Sequence, residues 1–195
     1  MPGRDIIVVG ASAGGVEALI KVVHGLPADL PAAIFVVLHI PAQGSSLLPD
    51  ILNRAGPLKA IHPTDNAEIE RGHIYTARPD HHLLVEQGHV RIVRGPRENR
   101  HRPAIDLTMR SAALSYGPRT IGVILTGALD DGTAGLRAIK LRSGLAVIQD
   151  PKDALYSSMP RSALEHIQVD YCVPLAEIGP LLTQLAYQPA SSENG

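Results

Sequence analysis

The segment at residues 33–40, AIFVVLHI, constrains the fold of this chain more than any other part of the sequence. It is short, almost continuously apolar, and rich in β-branched residues. A strand that is apolar along its whole length is buried on both faces, as in a parallel sheet that helices cover on both sides. The sequence therefore predicts an α/β fold with this segment in the interior of the sheet.

The rest of the chain alternates short apolar runs with amphipathic stretches, as a parallel sheet with crossover helices requires. Residues 174–187 are expected to close the fold, and the polar residues 188–195 are expected to fray. The pattern predicts strands at 6–9, 33–40, 120–126 and 145–149, and helices at 14–25, 45–54, 106–116, 133–141 and 160–166.

A different pattern occupies residues 61–93, where three short alternating pieces (HIYTA, HLLVE and HVRIV) are separated by turn dipeptides. This pattern predicts an antiparallel meander or hairpin insert. The expected architecture is a three-layer α/β domain with a mostly parallel sheet, helices on both faces and a small antiparallel hairpin insert. Because there is no internal repeat and no linker, we expect residues 1–195 to form one domain with its core at about 4–185.

Charge and cysteine content narrow the class of protein. The 18 Lys and Arg residues nearly balance the 19 Asp and Glu residues, which disfavours a nucleic-acid binder that relies on phosphate neutralisation. The single cysteine, Cys172, excludes an intramolecular disulfide and is expected to be a small buried residue. No apolar run approaches the roughly 18 residues of a membrane span, so we expect a cytoplasmic protein without membrane insertion.

Three polar residues stand at the carboxyl ends of predicted strands, where ligands and chemistry collect in open α/β sheets. Ser12 follows the first strand, His39 closes the second, and Asp131 follows the strand within TIGVILTG. These are the residue types of a nucleophile, a base and a group that orients the base. The sequence predicts a serine hydrolase triad if the three loops converge at one edge of the sheet.

The segment at residues 10–15, GASAGG, supports more than one interpretation. It fits the G-x-S-x-G pattern of a nucleophile elbow, and it also fits an anion-binding turn in which Ser12 caps the next helix. A P-loop is disfavoured because Val16 and Glu17 stand where Lys and Ser/Thr belong. A dinucleotide-binding turn is disfavoured because Ser12 and His39 replace a glycine and an acidic residue.

Structural roles are also open for the other two residues of the triad. His39 fits a core histidine that is hydrogen-bonded to the backbone. Asp130 and Asp131 precede Gly132 and a predicted helix, so either fits an N-cap.

His81, His82 and a basic loop are expected to be solvated. His81 and His82 lack the spacing of metal ligands and are expected in a hairpin turn. Contact with an acidic partner is the alternative role for the loop, whose basic residues are Arg97, Arg100, His101 and Arg102.

Six sequence blocks resemble, in order, the catalytic domain of the chemotaxis protein-glutamate methylesterase (CheB) family. The resemblance runs from about residue 4 to 185 and implies the fold predicted above. The blocks are GASAGG (10–15), LHIP (38–41), RGHIYTARPDHHL (71–83), NRHRPAIDL (99–107), GVILTGALDDGTAGL (122–136) and MPRSAL (159–164).

The resemblance assigns the roles of the site residues. It implies a triad of Ser12, His39 and Asp131, with the backbone N–H groups of Ala13 and Ala128 as oxyanion donors. The implied activity is hydrolysis of glutamate γ-methyl esters on the helices of methyl-accepting chemoreceptors, with deamidation of receptor glutamines as a second activity. No metal and no cofactor are required.

The sequence departs from the family pattern at two places, and we expect it to lack one domain of the family. Ala13 replaces a Thr or Ser of the family, and Ala128-Leu129-Asp130 replaces its usual Met-Gly-Asn. The altered loop at 128–130 keeps a second interpretation open, a catalytically silent adaptor module in a signalling complex. Because the blocks begin near residue 5, we expect no receiver domain within residues 1–195, so that control falls to a regulatory partner or a fusion.

Overall fold

The computed structural model describes residues 3–40 and 46–190. The strands in these residues are β1 (Ile6–Ala11), β2 (Ala33–Leu38), β3 (Lys59–Ile61), β4 (His73–Thr76), β5 (His82–Glu86), β6 (His89–Val93), β7 (Thr120–Ile124), β8 (Leu145–Gln149) and β9 (Tyr171–Val173). Seven of these described strands form one parallel sheet, in the order β3-β4-β2-β1-β7-β8-β9.

Strand β1 lies at the centre of this sheet, with Ile7 paired to Ile34 of β2 on one side and to Ile121 of β7 on the other. Every residue of β1 and β2 is buried. The predicted α/β class and the double-sided burial of the second strand are therefore confirmed. The chain continues from β1 to β2 on one side of it and adds β7 later on the other side. Because the connections on the two sides of β1 run in opposite directions, a crevice opens at its carboxyl end.

Helices cover both faces of the sheet, and successive residues of β1 alternate between the two cores. One core contains Leu19 and Leu182, and the other contains Met109 and Leu136. The described helices are α1 (Gly15–His24), α2 (Leu48–Ala55), α3 (Ile105–Tyr116), α4 (Thr133–Leu141), α5 (Ser158–His166) and α6 (Leu175–Tyr187). None of the helices in the described part of the chain is long and apolar enough to cross a membrane.

The antiparallel insert is smaller than the sequence predicts, because it consists of β5 and β6 alone. The piece HIYTA forms β4, which pairs in parallel with β2, and β3 extends the sheet beyond it. A strand of four residues is too short for its apolar pattern to distinguish parallel from antiparallel pairing. The predicted helix at 45–54 starts at Leu48 in the structure, and residue 45 lies outside the described residues.

Side chains of α3 form hydrogen bonds with the backbone groups on the free edge of strand β5. Thr108 Oγ1 donates to the Leu83 carbonyl at 2.7 Å, and the Val85 N–H donates to Ser111 Oγ at 2.9 Å. Ser115 Oγ donates to the Val85 carbonyl at 3.0 Å. An unpaired strand edge would otherwise leave backbone groups exposed. These bonds fix the hairpin to α3, the helix whose first turn enters the site described below.

Cys172 is exposed, which makes the expectation of a buried cysteine wrong. It lies in β9, a three-residue strand at the end of the sheet. An edge strand of this length gives no periodic signal in the sequence, so its exposure could not be anticipated.

Candidate active site

The loops after β1, β2 and β7 meet at the carboxyl edge of the sheet. Strands β1 and β2 stay in register to their last residues, Ala11 and Leu38, and the next N–H, of His39, donates to the Ala11 carbonyl at 3.1 Å. On the other side, the Ser12 N–H donates to the Thr126 carbonyl at 3.0 Å. Ser12 therefore follows the central strand, between the ends of its two neighbours.

Ser12 is half-buried in the tight turn that joins β1 to α1. The Gly15 N–H donates to the Ser12 carbonyl at 2.8 Å, and Gly14 has a φ of 74°. This left-handed conformation favours glycine. Gly14 is the N-cap residue of α1, and no side chain of residues 3–40 or 46–190 caps this helix. The structure thus excludes the alternative in which Ser12 is a capping residue.

His39 and Asp131 are hydrogen-bonded, with 2.7 Å between His39 Nε2 and Asp131 Oδ2. Both side chains are almost fully buried, at 7% and 2% exposure. His39 Nδ1 is also buried and has no partner among the described residues, so the Ser12 hydroxyl is not hydrogen-bonded to it in this structure. The structure therefore pairs His39 with Asp131 and brings Ser12 to the same edge without a Ser–His bond.

Asp131 is held by four donors, two on each oxygen. Besides His39, Oδ2 accepts the Ile105 N–H at 2.8 Å, and Oδ1 accepts the Asp106 N–H at 3.0 Å and Asn99 Nδ2 at 2.9 Å. Burial raises the pKa of Asp131, but the bonds from His39 and these backbone groups outweigh it and hold the pKa below the usual 3.8. Asp131 is an ionised acceptor.

Asp131 and Asp106 cap each other's helices. Asp131 accepts the first N–H groups of α3, while Asp106 Oδ1 accepts the Gly132 and Gly135 N–H groups at the start of α4, at 2.9 and 2.7 Å. The alternative in which the side chain of Asp130 or Asp131 caps α4 is therefore excluded, since Asp131 caps a different helix and the Asp130 side chain has no hydrogen bond among the described residues. Burial raises the pKa of Asp106, and the nearby charge of Asp131 raises it further.

A tight turn at residues 98–101 supports both members of the His–Asp pair, and sequence reasoning missed it. Glu98 and His101 exchange two backbone hydrogen bonds of 2.8 and 2.9 Å. Asn99 and Arg100 between them have φ values of 51° and 67°, which is the pattern of a type I′ turn. From this turn Asn99 Nδ2 reaches Asp131, and the His101 ring lies flat on His39.

The structure corrects two expectations of solvated residues. His82 is buried, with Nε2 at 2.7 Å from the Pro96 carbonyl, so its assignment to a solvated turn is wrong. Arg102 in the basic loop is also ordered, because its Nε donates to Asp80 at 2.9 Å. Both interactions join segments that are distant in sequence, and no local pattern signals them. Within the described ranges, no three His, Cys, Asp or Glu side chains could hold a metal ion.

The backbone around the predicted oxyanion donors is irregular. Neither the Ala13 nor the Ala128 N–H donates to a described group, whereas the Gly127 N–H donates to the Tyr156 carbonyl at 2.9 Å. Leu129 has a φ of 65°, a conformation that its Cβ disfavours. A cavity of about 470 Å³ adjoins this loop, and it is lined by Asn99, Arg100, Leu129 and Asp130.

Comparisons with known proteins give matches over most of the chain. A family model described as CheB methylesterase matches residues 7–182. A Leptospira interrogans protein, provisionally named a protein-glutamate methylesterase/protein-glutamine glutaminase, is 40% identical over 182 residues, which cover 93% of this chain and 94% of the relative.

Two further matches extend the comparison. A protein-glutamate methylesterase/protein-glutamine glutaminase of Hydrogenovibrio crunogenus is 35% identical, and the match covers 91% of this chain but 48% of the relative. The crystal structure of the Thermotoga maritima CheB methylesterase catalytic domain superposes with a TM-score of 0.89 at 33% identity, covering 95% of this chain and 100% of that chain.

Proposed function

Because the chain belongs to the CheB methylesterase family, we propose that it is a serine hydrolase that demethylates glutamate γ-methyl esters in proteins. We assign Ser12 as the nucleophile, His39 as the base and Asp131 as the residue that orients the base. Glutamine deamidation, the second activity in the names of the relatives, proceeds through the same acyl-enzyme, with ammonia as the leaving group.

The bond between His39 Nε2 and Asp131 carries this assignment. Because Asp131 is an acceptor, Nε2 holds the proton of the neutral imidazole and the buried Nδ1 carries its lone pair. A histidine with a fixed ring and an unpaired basic nitrogen, next to a serine at a strand end, is suited to general-base catalysis. The Ser12 hydroxyl has to approach Nδ1 when substrate binds, since catalytic hydrogen bonds are often long before that step.

The reaction then follows from these positions. His39 Nδ1 takes the Ser12 proton while Oγ attacks the γ-ester carbonyl, and Asp131 stabilises the imidazolium that forms. The imidazolium returns its proton to the methoxy oxygen, and methanol leaves. A water molecule, deprotonated by His39, attacks the acyl-serine, the Ser12 Oγ–acyl bond breaks, and the imidazolium returns the proton to Ser12 Oγ as the glutamate is released.

The Ala13 and Ala128 N–H groups are the proposed oxyanion donors. Ala13 follows Ser12 in the chain, and Ala128 follows Gly127, whose backbone lies against the Ser12 side chain. Both N–H groups are free of acceptors among the described residues. The amino end of α1 adds its positive dipole to the same place. Loss of one such donor in other hydrolases costs about 10²–10³-fold in kcat.

A helical segment of a methylated chemoreceptor is the proposed substrate, and the cytoplasm is the proposed compartment. A protein-sized partner is supported by large exposed apolar side chains near the serine. Leu129, Leu155 and Tyr156 are 60%, 75% and 50% exposed, and Leu155 lies over Gly14. Such apolar side chains around a reactive group are typical of an interaction surface. We also propose that the matched residues act as one catalytic domain.

Methanol release from a methylated receptor fragment tests this function. The purified chain should release methanol, and Ser12→Ala should abolish release while the protein stays folded by circular dichroism. The adaptor alternative predicts no methanol from either protein and unchanged binding to the receptor fragment. Absence of turnover in the parent chain with tight binding would overturn the hydrolase assignment.

A further inference from the structure

A second imidazole is stacked on the proposed base. The ring centroids of His39 and His101 are 3.5 Å apart, and the ring planes differ by 6°. His101 is half-buried and has no side-chain hydrogen bond in the described part of the chain, so this flat contact is its main specific interaction. His39 Nε2 is held by Asp131 at one edge of its ring, and His101 covers one face.

The turn that presents His101 is costly and firmly anchored. Asn99 and Arg100 both adopt left-handed backbone conformations, which are unfavourable for a non-glycine residue. Glu98, at the start of the turn, is bridged to Arg110 of α3, and Arg102, just after it, is bridged to Asp80. A strained turn that is fixed at both ends fits a role in placing its side chains.

We infer that His101 is a positioning residue that holds the His39 ring in the plane required for proton transfer between Ser12 and the substrate. The kinetic consequence of this inference rests on the proposed function, whereas the stacking of the two rings is an observation that is independent of it. The bond to Asp131 opposes a flip of the imidazole, and His101 against one face opposes its tilt towards that side. Proton transfer depends steeply on such orientation.

The charge state of His101 agrees with this role. Burial lowers the pKa of His101, and the charge of His39 lowers it further, followed by that of Arg97. Asp131 acts in the opposite direction. A neutral His101 presents its π face to the imidazolium that forms on His39, an arrangement that favours the cation. A phenyl ring would offer the same face without a titratable proton.

Three substitutions separate positioning from other roles. In His101→Ala, kcat for methyl ester hydrolysis should fall on the order of tenfold, because the interaction free energy of a stacked aromatic pair corresponds to a rate change of about that size. KM should stay within about twofold of the parent value. His101→Phe should restore kcat to within about threefold and leave the acid limb of the pH profile in place. His101→Leu fills the space without a planar face and should behave like the alanine variant.

A spectroscopic readout tests the stack without substrate. The buried Nε2 proton of His39, bonded to Asp131, should give a downfield proton resonance that is broadened in His101→Ala and recovered in His101→Phe. His24→Ala, an exposed histidine at the end of α1, is the matched control. Thermal unfolding of each variant reports whether it is folded.

Each remaining outcome overturns a specific claim. If His101→Ala matches His24→Ala in kcat and in the resonance, the stack has no positioning role. If His101→Phe is as inactive as a His39→Gln variant, His101 itself transfers the proton and the inference is wrong. If the parent chain releases no methanol, the proposed function fails, and the resonance still decides whether His101 orders His39.

Discussion

Replacing Asp131 with Asn should impair both catalysis and stability, because the structure gives this carboxylate two tasks. It orients His39, and it accepts the first backbone N–H groups of α3. An asparagine has one acceptor oxygen where the aspartate has two, and an NH₂ group replaces the other. Whichever way the amide is turned, its NH₂ group faces two donors.

The size of the effect follows from the four hydrogen bonds. With the NH₂ group at the Oδ1 position, the Asp106 N–H loses its acceptor, and at the Oδ2 position the Ile105 N–H does. Either way one buried N–H is orphaned, which costs about 1–3 kcal/mol of unfolding free energy. For a domain of this size the melting temperature should fall by about 2–12 °C. Loss of the orienting carboxylate should lower kcat by about 10⁴-fold.

Urea unfolding and methanol release measure the two effects in the same samples. Asp130→Asn is the matched control, because Asp130 is exposed and its side chain makes no hydrogen bond among the described residues. The control should change the unfolding free energy by less than about 0.5 kcal/mol. If Asp130→Asn loses as much activity as Asp131→Asn, or if Asp131→Asn is as stable as the parent, the double role of Asp131 is wrong.

Three further predictions concern the other charged and catalytic groups. Ser12→Ala should lower kcat by about 10⁴-fold or more with an unchanged melting temperature, and activity within about tenfold of the parent would contradict its role as nucleophile. His39→Gln should remove the acid limb from the pH profile of residual hydrolysis, whereas persistence of that limb would place the base elsewhere. Burial raises the pKa of Asp5, but hydrogen bonds from Arg119 and Arg71 outweigh it and hold the pKa below 3.8. Its stabilisation is therefore present above about pH 4 and is lost as the pH falls further, so the urea midpoints of the parent and Asp5→Asn should differ at pH 7 and approach each other as the pH is lowered below about 4.

The central sheet could be predicted because its strands are long enough to show their burial. Residues 33–40 are apolar on both faces, and the helix at Thr133–Leu141 and the strand at Leu145–Gln149 match their predicted bounds. The edge strands β3 and β9 were missed, since three residues carry no period. Sequence order also placed Ser12, His39 and Asp131 at strand ends, although only the sheet order explains why these ends converge.

The support around the triad could not be predicted, because it depends on contacts between residues far apart in the chain. The contact between His39 and His101 spans 62 residues, and Asn99 reaches Asp131 across 32. The sequence of residues 97–102 indicates only a basic, hydrophilic loop. No local sequence pattern explains why Arg100 adopts a left-handed conformation. The conformation lets the neighbouring Asn99 contact Asp131 and the neighbouring His101 stack on His39.

The crossed capping of α3 and α4 links the catalytic geometry to the stability of the fold. Neither helix has a side-chain cap from its own N-cap residue, Ala104 or Gly132. Each depends instead on a carboxylate at the start of the other helix: Asp131 precedes α4 and caps α3, and Asp106 lies in the first turn of α3 and caps α4. Asn99 bridges the two carboxylates with bonds of 2.6 and 2.9 Å. Moving Asp131 away from His39 would therefore leave the first N–H groups of α3 without acceptors and lower the free energy of unfolding. The stability of the fold thus helps to keep the orienting residue in its place.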